Sequence, residues 1–404
     1  MRKYVVLVAS VVIQICLGGT YAWSAFVPAL TDQHGLTSAQ TQTIFGVTIA
    51  MLSLSMVLSG RLQDRYGPRP VALIGAALYA CGYLLASASG GEYPLLLLGI
   101  GFISGTGIGF AYVCPLATCI KWFPERKGLI TGVAVAGYGA GAIVLSALAA
   151  TLFGRGLDVL AIFRWIGIGY GAVVCSGAVL LSVPARVEAG PAQVGIRLGE
   201  VLRHRAFWGT VAGIFCGTCA GVIVIGNLKP LGLNAGAGAA VATAAISTLA
   251  VGNALGRISW GLLYDRWGRG VIPLSLLFLA GADLALLGAR HSGAGLLLGA
   301  VAVGLGYGAC LVLYAARVAS VWGPARVGAV YPLIMLFHGA GALVGPPVGG
   351  RLFDLRGDFT VPLLVAAATG LVGAVLVWAL QARGEEPTAP GPTAPSLLLV
   401  EPPD

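Results

Sequence analysis

The chain has 404 residues, 57% hydrophobic and only 10% charged, with 62 glycines and a net charge of +9; its mean hydropathy is +0.90. Soluble domains carry about 25% charged residues, so a soluble enzyme and a nucleic-acid-binding domain are excluded and a polytopic membrane protein remains. The eight cysteines (16, 81, 114, 119, 175, 216, 219 and 310) all fall in apolar segments, where they act as small hydrophobes rather than as a disulfide framework. Cys216 and Cys219 have metal-ligand spacing, but no second pair accompanies them, and no metal or cofactor is expected.

About 20 apolar residues cross a bilayer as a helix. On that measure the sequence predicts an all-α fold with twelve transmembrane helices, roughly 4–30, 38–60, 70–90, 94–120, 128–153, 165–183, 206–228, 237–263, 271–289, 295–316, 328–350 and 360–382. The first run is too long for a signal-peptide core and is read as a retained span. With the N-terminus inside, 17 Lys and Arg fall on the inner side and 6 on the outer side, leaving Arg257 over. Both termini are therefore expected in the cytoplasm, with the chain in the inner (plasma) membrane. The break at 184–205 divides residues 1–183 from 206–382, six spans each. Its second part mixes basic and apolar residues and is expected on the inner membrane surface. The proline-rich tail, 383–404, is expected to be disordered.

A repeat near 200 residues relates the two halves. Gly60-Arg-Leu-Gln-Asp64-Arg65-Tyr-Gly67 recurs as Gly261-Leu-Leu-Tyr-Asp265-Arg266-Trp-Gly268, and Gly139-Ala-Gly141 recurs as Gly339-Ala-Gly341. Trp122-Phe-Pro124-Glu-Arg126-Lys-Gly128 likewise recurs as Trp322-Gly-Pro324-Ala-Arg326-Val-Gly328. Two pseudo-symmetric six-helix bundles, with a site at the midplane between them, are the architecture of a rocking transporter. The same register sets Tyr138 against His338 and Met56 against Arg257. In the Gly60 loop and its copy, glycine is expected to let a helix end approach its neighbour. Asp64, Arg65, Asp265 and Arg266 are expected to form charge networks, and Gly67 to turn the chain. Gly105-x-Gly107-x-Gly109 lies inside a helix and reads as small-residue packing, not as a nucleotide loop.

Arg257 is the one cation that falls in no loop, tail or helix end. An arginine near a bilayer centre costs roughly 2.5–3.5 kcal/mol, which makes it a functional candidate. Its planar guanidinium can hold a carboxylate through two hydrogen bonds. It also lies about two turns from Asp265, so reaching to the inner surface is the alternative role. His338 is the only histidine deep in a span, suited either to carrying a proton or to a packing hydrogen bond. Tyr331 shares its face, and Tyr307 and Tyr314 repeat that spacing in span ten. Asn227 and Gln42 could serve a site or helix packing, and Asp283, the one acid well inside a span, is a second proton-carrier candidate.

The twelve spans, the central loop and the repeated Gly60 loop resemble the major facilitator superfamily, from about Tyr4 to Leu380. Gly19-Thr-Tyr21-Ala-Trp-Ser24, Lys121-Trp-Phe-Pro-Glu-Arg-Lys-Gly128 with Gly137-Tyr138-Gly139, and Leu202-Arg-His-Arg-Ala-Phe-Trp208 are similar to the oxalate/formate antiporter branch. The segment after Lys121 is also similar to the monocarboxylate transporters. The resemblance implies proton-linked transport or exchange of small carboxylates, with Arg257 on the substrate carboxylate. It adds Tyr21, Tyr112, Tyr138 and Tyr307 as matched aromatic positions. Oxalate carriers of the family have a lysine in span eleven where this chain has His338. Monocarboxylate carriers have an aspartate one turn before the arginine where this chain has Asn253.

These readings converge on a secondary transporter of small monocarboxylates such as lactate, pyruvate or formate, coupled to a proton by alternating access. Arg257 would hold the carboxylate, with Asn227, Tyr112, Tyr331, His338, Tyr21, Tyr138 and Tyr307 around it, in a lipid-embedded monomer without cofactor or nucleic-acid partner. The alternatives within transport are an oxalate:formate-type anion exchanger and an exporter of another organic compound. A carboxylate-binding membrane sensor is the competing class.

Overall fold

The computed structural model describes residues 2–123, 127–184, 198–323 and 326–382. Among these, all regular structure is helical, and eleven stretches are long and apolar enough to cross a membrane. One of them, Ala239–Ala289, holds two helices broken at Gly268, whose φ of 63° only glycine adopts cheaply. The spans are therefore twelve. They are α1 (Arg2–Ala25), α2 (Ser38–Tyr66), α3 (Pro68–Ser87), α4 (Tyr93–Trp122), α5 (Lys127–Gly154) and α6 (Val159–Leu180), then α7 (Arg205–Asn234), α8 (Ala239–Trp267), α9 (Val271–Ala289), α10 (Gly293–Trp322), α11 (Val327–Arg356) and α12 (Thr360–Ala382). The chain is an integral membrane protein.

Several span ends lie four to six residues from the sequence reading, with α6 beginning at Val159 and α7, α10 and α11 ending at Asn234, Trp322 and Arg356, and two of the departures have a local reason. The first apolar run is not one helix to residue 30. After Gly18 it tightens to a 3₁₀ turn over Gly19–Ala25, and a separate short helix, Val27–His34, begins with Pro28 in its first turn. A Cβ at Gly18 would lie 1.8 Å from the Tyr138 carbonyl oxygen, so the glycine lets α1 touch α5 where the helix changes form. Helix α2 runs on to Tyr66, past the hydrophobic limit at 60, because the polar residues 61–66 still form helical hydrogen bonds up to the turn at Gly67. The central connection contains a short helix, Leu198–Arg203. Most of that loop, and the tail from 383, lie outside the described residues.

The repeat is visible in the packing. Gly141 of α5 sits against α1, where its Cβ would be 2.2 Å from Ile15 O; Gly341 of α11 sits against α7, 2.7 Å from Phe215 O. Gly139 faces Ala254 of α8, and Gly339 faces Ala50 and Ser53 of α2. So α1, α2 and α5 of one half play the parts of α7, α8 and α11 of the other. Small residues bring helix backbones together where lipid supplies no hydrophobic drive. Gly105 and Gly109 likewise pack on α2, and Gly107 on α3, as small-residue packing requires.

The repeated loops show a shared turn but a different use of their first glycine. Gly67 (φ 86°) and Gly268 (φ 63°) both end their helices in the left-handed region. A Cβ at Gly60, however, meets nothing within 4 Å, so this glycine faces open space rather than an abutting helix. Asp64 and Asp265 are exposed, and Arg65 lies over the Tyr66 ring at 5.2 Å. Gly261 comes only within ordinary contact of Val312.

Candidate functional site

Between the two halves lies a cavity of about 340 Å³ whose polar lining is Arg257, His338, Tyr21, Tyr112, Tyr138 and Tyr331. Ile49, Leu52, Met56, Leu116, Leu311, Val312, Ala315 and Met335 make the apolar remainder. The two register pairs read from the sequence, Tyr138 with His338 and Met56 with Arg257, thus meet at one place.

Arg257 is held there by the contact of α8 with α10. Gly256 packs on the Leu305 carbonyl, and a Cβ at Gly308 would lie 2.8 Å from Arg257 N, so the arginine's backbone is clamped to its neighbour. Its side chain is 7% exposed and lines the inter-half cavity. Nε donates to Asn253 Oδ1 at 2.9 Å, one turn earlier on the same face. Neither Nη1 nor Nη2 makes a hydrogen bond of good geometry among the described residues, and the Tyr112 hydroxyl lies beside the guanidinium. An arginine cannot shed its proton, and a buried, unpaired charge is costly. The fork is therefore oriented by Asn253 and left with two parallel donors, the arrangement a planar carboxylate accepts. No carboxylate of the described residues lines the cavity.

His338 sits at the seam of the two halves and is 2% exposed. Its Nδ1 is 3.0 Å from Ser53 Oγ of α2, and its Nε2 is 3.4 Å from the Tyr307 hydroxyl. Ser53 Oγ also donates to Ile49 O at 3.0 Å. A serine hydroxyl has one hydrogen, so here it accepts from Nδ1–H, and Nε2 accepts from Tyr307. Tyr307 in turn accepts from Tyr21 at 3.4 Å. Nδ1 therefore carries a hydrogen, and the Tyr307 bond in this direction is that of the neutral imidazole. Two of its bonds, Tyr21–Tyr307 and Ser53–His338, cross between the halves. Edge-on aromatic contacts extend the row, with Tyr21 to Tyr138 at 5.5 Å and Tyr138 to Tyr112 at 5.2 Å. Tyr331 lines the cavity with its hydroxyl on Leu311 O at 3.2 Å.

Three candidates stand apart from the cavity lining. Tyr307 is behind it, in the network just described. Asn227 donates to Ile223 O, within its own helix, at 2.8 Å. Asp283 is 0% exposed, with neither carboxylate oxygen partnered. Sequence reasoning missed Ser53, which has no distinguishing spacing of its own. The repeat could have found it, since it occupies in α2 the place of Ala254 in α8, beside Gly339 as Ala254 is beside Gly139.

The cavity adjoins a second space toward one face. That space, of about 540 Å³ and lined by Gly60, Arg61 and Asp64 of α2 and Val327 of α11, shares Met56, Tyr331 and Met335 with the cavity. It lies toward the face that bears the chain termini. On the opposite face, hereafter the far face, the halves are sealed. Asp354 of α11 accepts from the backbone amides of Ser38 and Ala39 at 2.9 Å each, Gln42 Nε2 donates to Gly226 O at 2.7 Å, and Lys229 Nζ donates to Ala25 O at 3.3 Å. A Cβ on Gly46 would lie 2.3 Å from Ala342 O.

Twelve spans in two pseudo-symmetric halves around a midplane cavity define an alternating-access transporter fold. The chain belongs to the Major Facilitator Superfamily, whose sequence profile matches residues 8–336 and again 220–401. It is 26% identical to the oxalate:formate antiporter of Oxalobacter formigenes, over 66% of this chain and 65% of that protein. It is 29% identical to human monocarboxylate transporter 11, over 86% of this chain and 76% of that one. The crystal structure of a D-xylose-proton symporter superposes with a TM-score of 0.69 over 94% of this chain and 98% of its own, at 15% identity, which establishes the shared fold.

Proposed function

We propose that the protein transports small monocarboxylates, of the size of lactate, pyruvate or formate, together with a proton. The observation that carries this reading is the buried fork of Arg257, fixed at Nε by Asn253, with Nη1 and Nη2 free of any good hydrogen bond and no acid lining the cavity among the described residues. A carboxylate bound end-on to both nitrogens would neutralise the guanidinium and complete its hydrogen bonding. Tyr112 and Tyr331 flank it, and Leu52, Leu116 and Leu311 cover the apolar end. A volume of about 340 Å³ is at the low end for ligand cavities, which suits a ligand of a few carbons. The names of the two carboxylate-carrying relatives support the same substrate class.

A dianion such as oxalate is less well served. Among the described residues Arg257 is the only Lys or Arg lining the cavity, and both ring nitrogens of His338 are already engaged. His338 is the coupling group in this account, because its imidazole lines the central cavity and bonds across the halves to Ser53. A proton on Nε2 would turn that acceptor into a donor and force the Tyr307 and Tyr21 hydroxyls to reorient. Asp283, outside the cavity, has no such link. The distribution of Lys and Arg supports a cytoplasmic face for the termini and for the space adjoining the cavity, and the site is complete within one chain, as a monomeric carrier in the inner membrane requires.

The test is uptake of labelled L-lactate into proteoliposomes, with external pH recorded. Symport gives alkalinisation outside on lactate addition. Counterflow with no pH change would replace it by anion exchange, and binding of no short carboxylic acid at either of two pH values would overturn the substrate class.

A further inference from the structure

We propose that Lys229 forms a second carboxylate-binding point at the far face, which captures the anion before it reaches Arg257; this rests on the substrate class proposed above. A cavity of about 550 Å³ lies between the halves on that face, outside the seal, bounded by the short helix after α1, by Phe153 of α5 and by the first turns of α8. Among the described residues Lys229 is the only cation lining it. The side chain is half-buried, six residues inside a helix that is otherwise almost wholly packed, and its ammonium spends one of three donors on Ala25 O. No carboxylate of the described residues is paired with it, although Asp32 lines the same cavity.

Position ties this charge to the central site. Ala25 and Tyr21 belong to the same 3₁₀ segment, Gly19–Ala25, and a rise of about 2 Å per residue separates them by about 8 Å. Tyr21 lines the central cavity, and Ala25 lines the outer one. Ala25 belongs to one half and Lys229 to the other, so the bond between them breaks when the halves part on the far face. The ammonium then loses its carbonyl and stands, with all three donors free, at the mouth through which an anion passes to Arg257. A carboxylate taking the place of Ala25 O both draws the ligand in and favours that parting. Asp32, exposed in the same space, opposes the capture and sets its strength.

The experiment is initial-rate uptake of labelled L-lactate from the far-face side by the full-length wild type and by Lys229→Gln, Lys229→Arg and Asp32→Asn, at two ionic strengths. Lys229→Gln is expected to raise KM for that side about five- to tenfold while Vmax changes less than twofold, and Lys229→Arg to restore most of the loss. Asp32→Asn lowers KM two- to threefold. Wild-type KM rises with salt, and that of Lys229→Gln does not. A wild-type KM in Lys229→Gln, or equal impairment by Gln and Arg, overturns the capture site and leaves the Arg257 reading intact. Absence of lactate uptake by the wild type overturns the Arg257 reading itself.

Discussion

Asn253→Asp tests how Arg257 is presented. In the native site a neutral amide oxygen accepts from Nε at 2.9 Å and leaves the full cationic charge for a ligand on Nη1 and Nη2. An aspartate carboxylate fits the same place and adds a negative charge on the far side of the guanidinium. A bound carboxylate would then sit about 8 Å from that charge. At an effective dielectric of about 20, two like unit charges that far apart repel by about 2 kcal/mol. That is close to a thirtyfold loss of affinity. The introduced carboxylate regains a neutral form on protonation, and a protonated acid can still accept from Nε. The defect should therefore be full at pH 7.5 and shrink as the pH falls. The assay is the concentration dependence of lactate uptake across a pH series, with lactate-induced thermal stabilisation read in parallel. A variant with wild-type KM at pH 7.5, or a defect that does not vary with pH, would refute the end-on geometry.

Further outcomes follow from the seam and the packing. His338→Ala should flatten the pH dependence of uptake while lactate still stabilises the protein; retained dependence would move coupling elsewhere. Ser53→Ala removes a buried hydrogen bond between the halves, worth about 1 kcal/mol, and should lower the melting temperature measured in detergent by a few degrees. Asp354→Ala removes the acceptor of the first two α2 amides and weakens the far-face seal by about 1–2 kcal/mol, which hydrogen exchange should register as faster exchange across residues 38–46. Gly18→Ala forces a methyl into the Tyr138 carbonyl and should destabilise by about 1–3 kcal/mol, whereas Gly60→Ala, open to space, should melt as the wild type does.

The parts legible in the sequence were those written in long periods. Twelve apolar runs located the spans, because bilayer thickness fixes their length. The repeat brought together Tyr138, His338, Met56 and Arg257, because pseudo-symmetric halves place register partners on opposite walls of one cavity. Asn253 was legible as the residue one turn before Arg257. What escaped depended on which helices touch. Gly60 resembles an interhelical glycine in sequence, yet lines open space between the halves. Ser53 is one of several serines in α2 and gains meaning only from His338, 285 residues away. Asn227 and Asp283 are polar residues in apolar helices, and the sequence alone does not say which side of a helix meets the midplane. The break in α1 at Gly19–Ala25 was hidden for a similar reason, since hydropathy does not register a change from α to 3₁₀ winding.

The central claim is that an unpaired Arg257 fork receives the carboxylate. It is tested most directly by comparing the wild type with Arg257→Met for lactate-dependent thermal stabilisation and uptake in proteoliposomes. Removing a buried charge that has no partner should leave the ligand-free variant at least as stable as the wild type. The same variant should show no stabilisation by lactate and uptake reduced at least a hundredfold. Uptake near the wild-type rate, or lactate stabilisation equal to that of the wild type, would contradict the account.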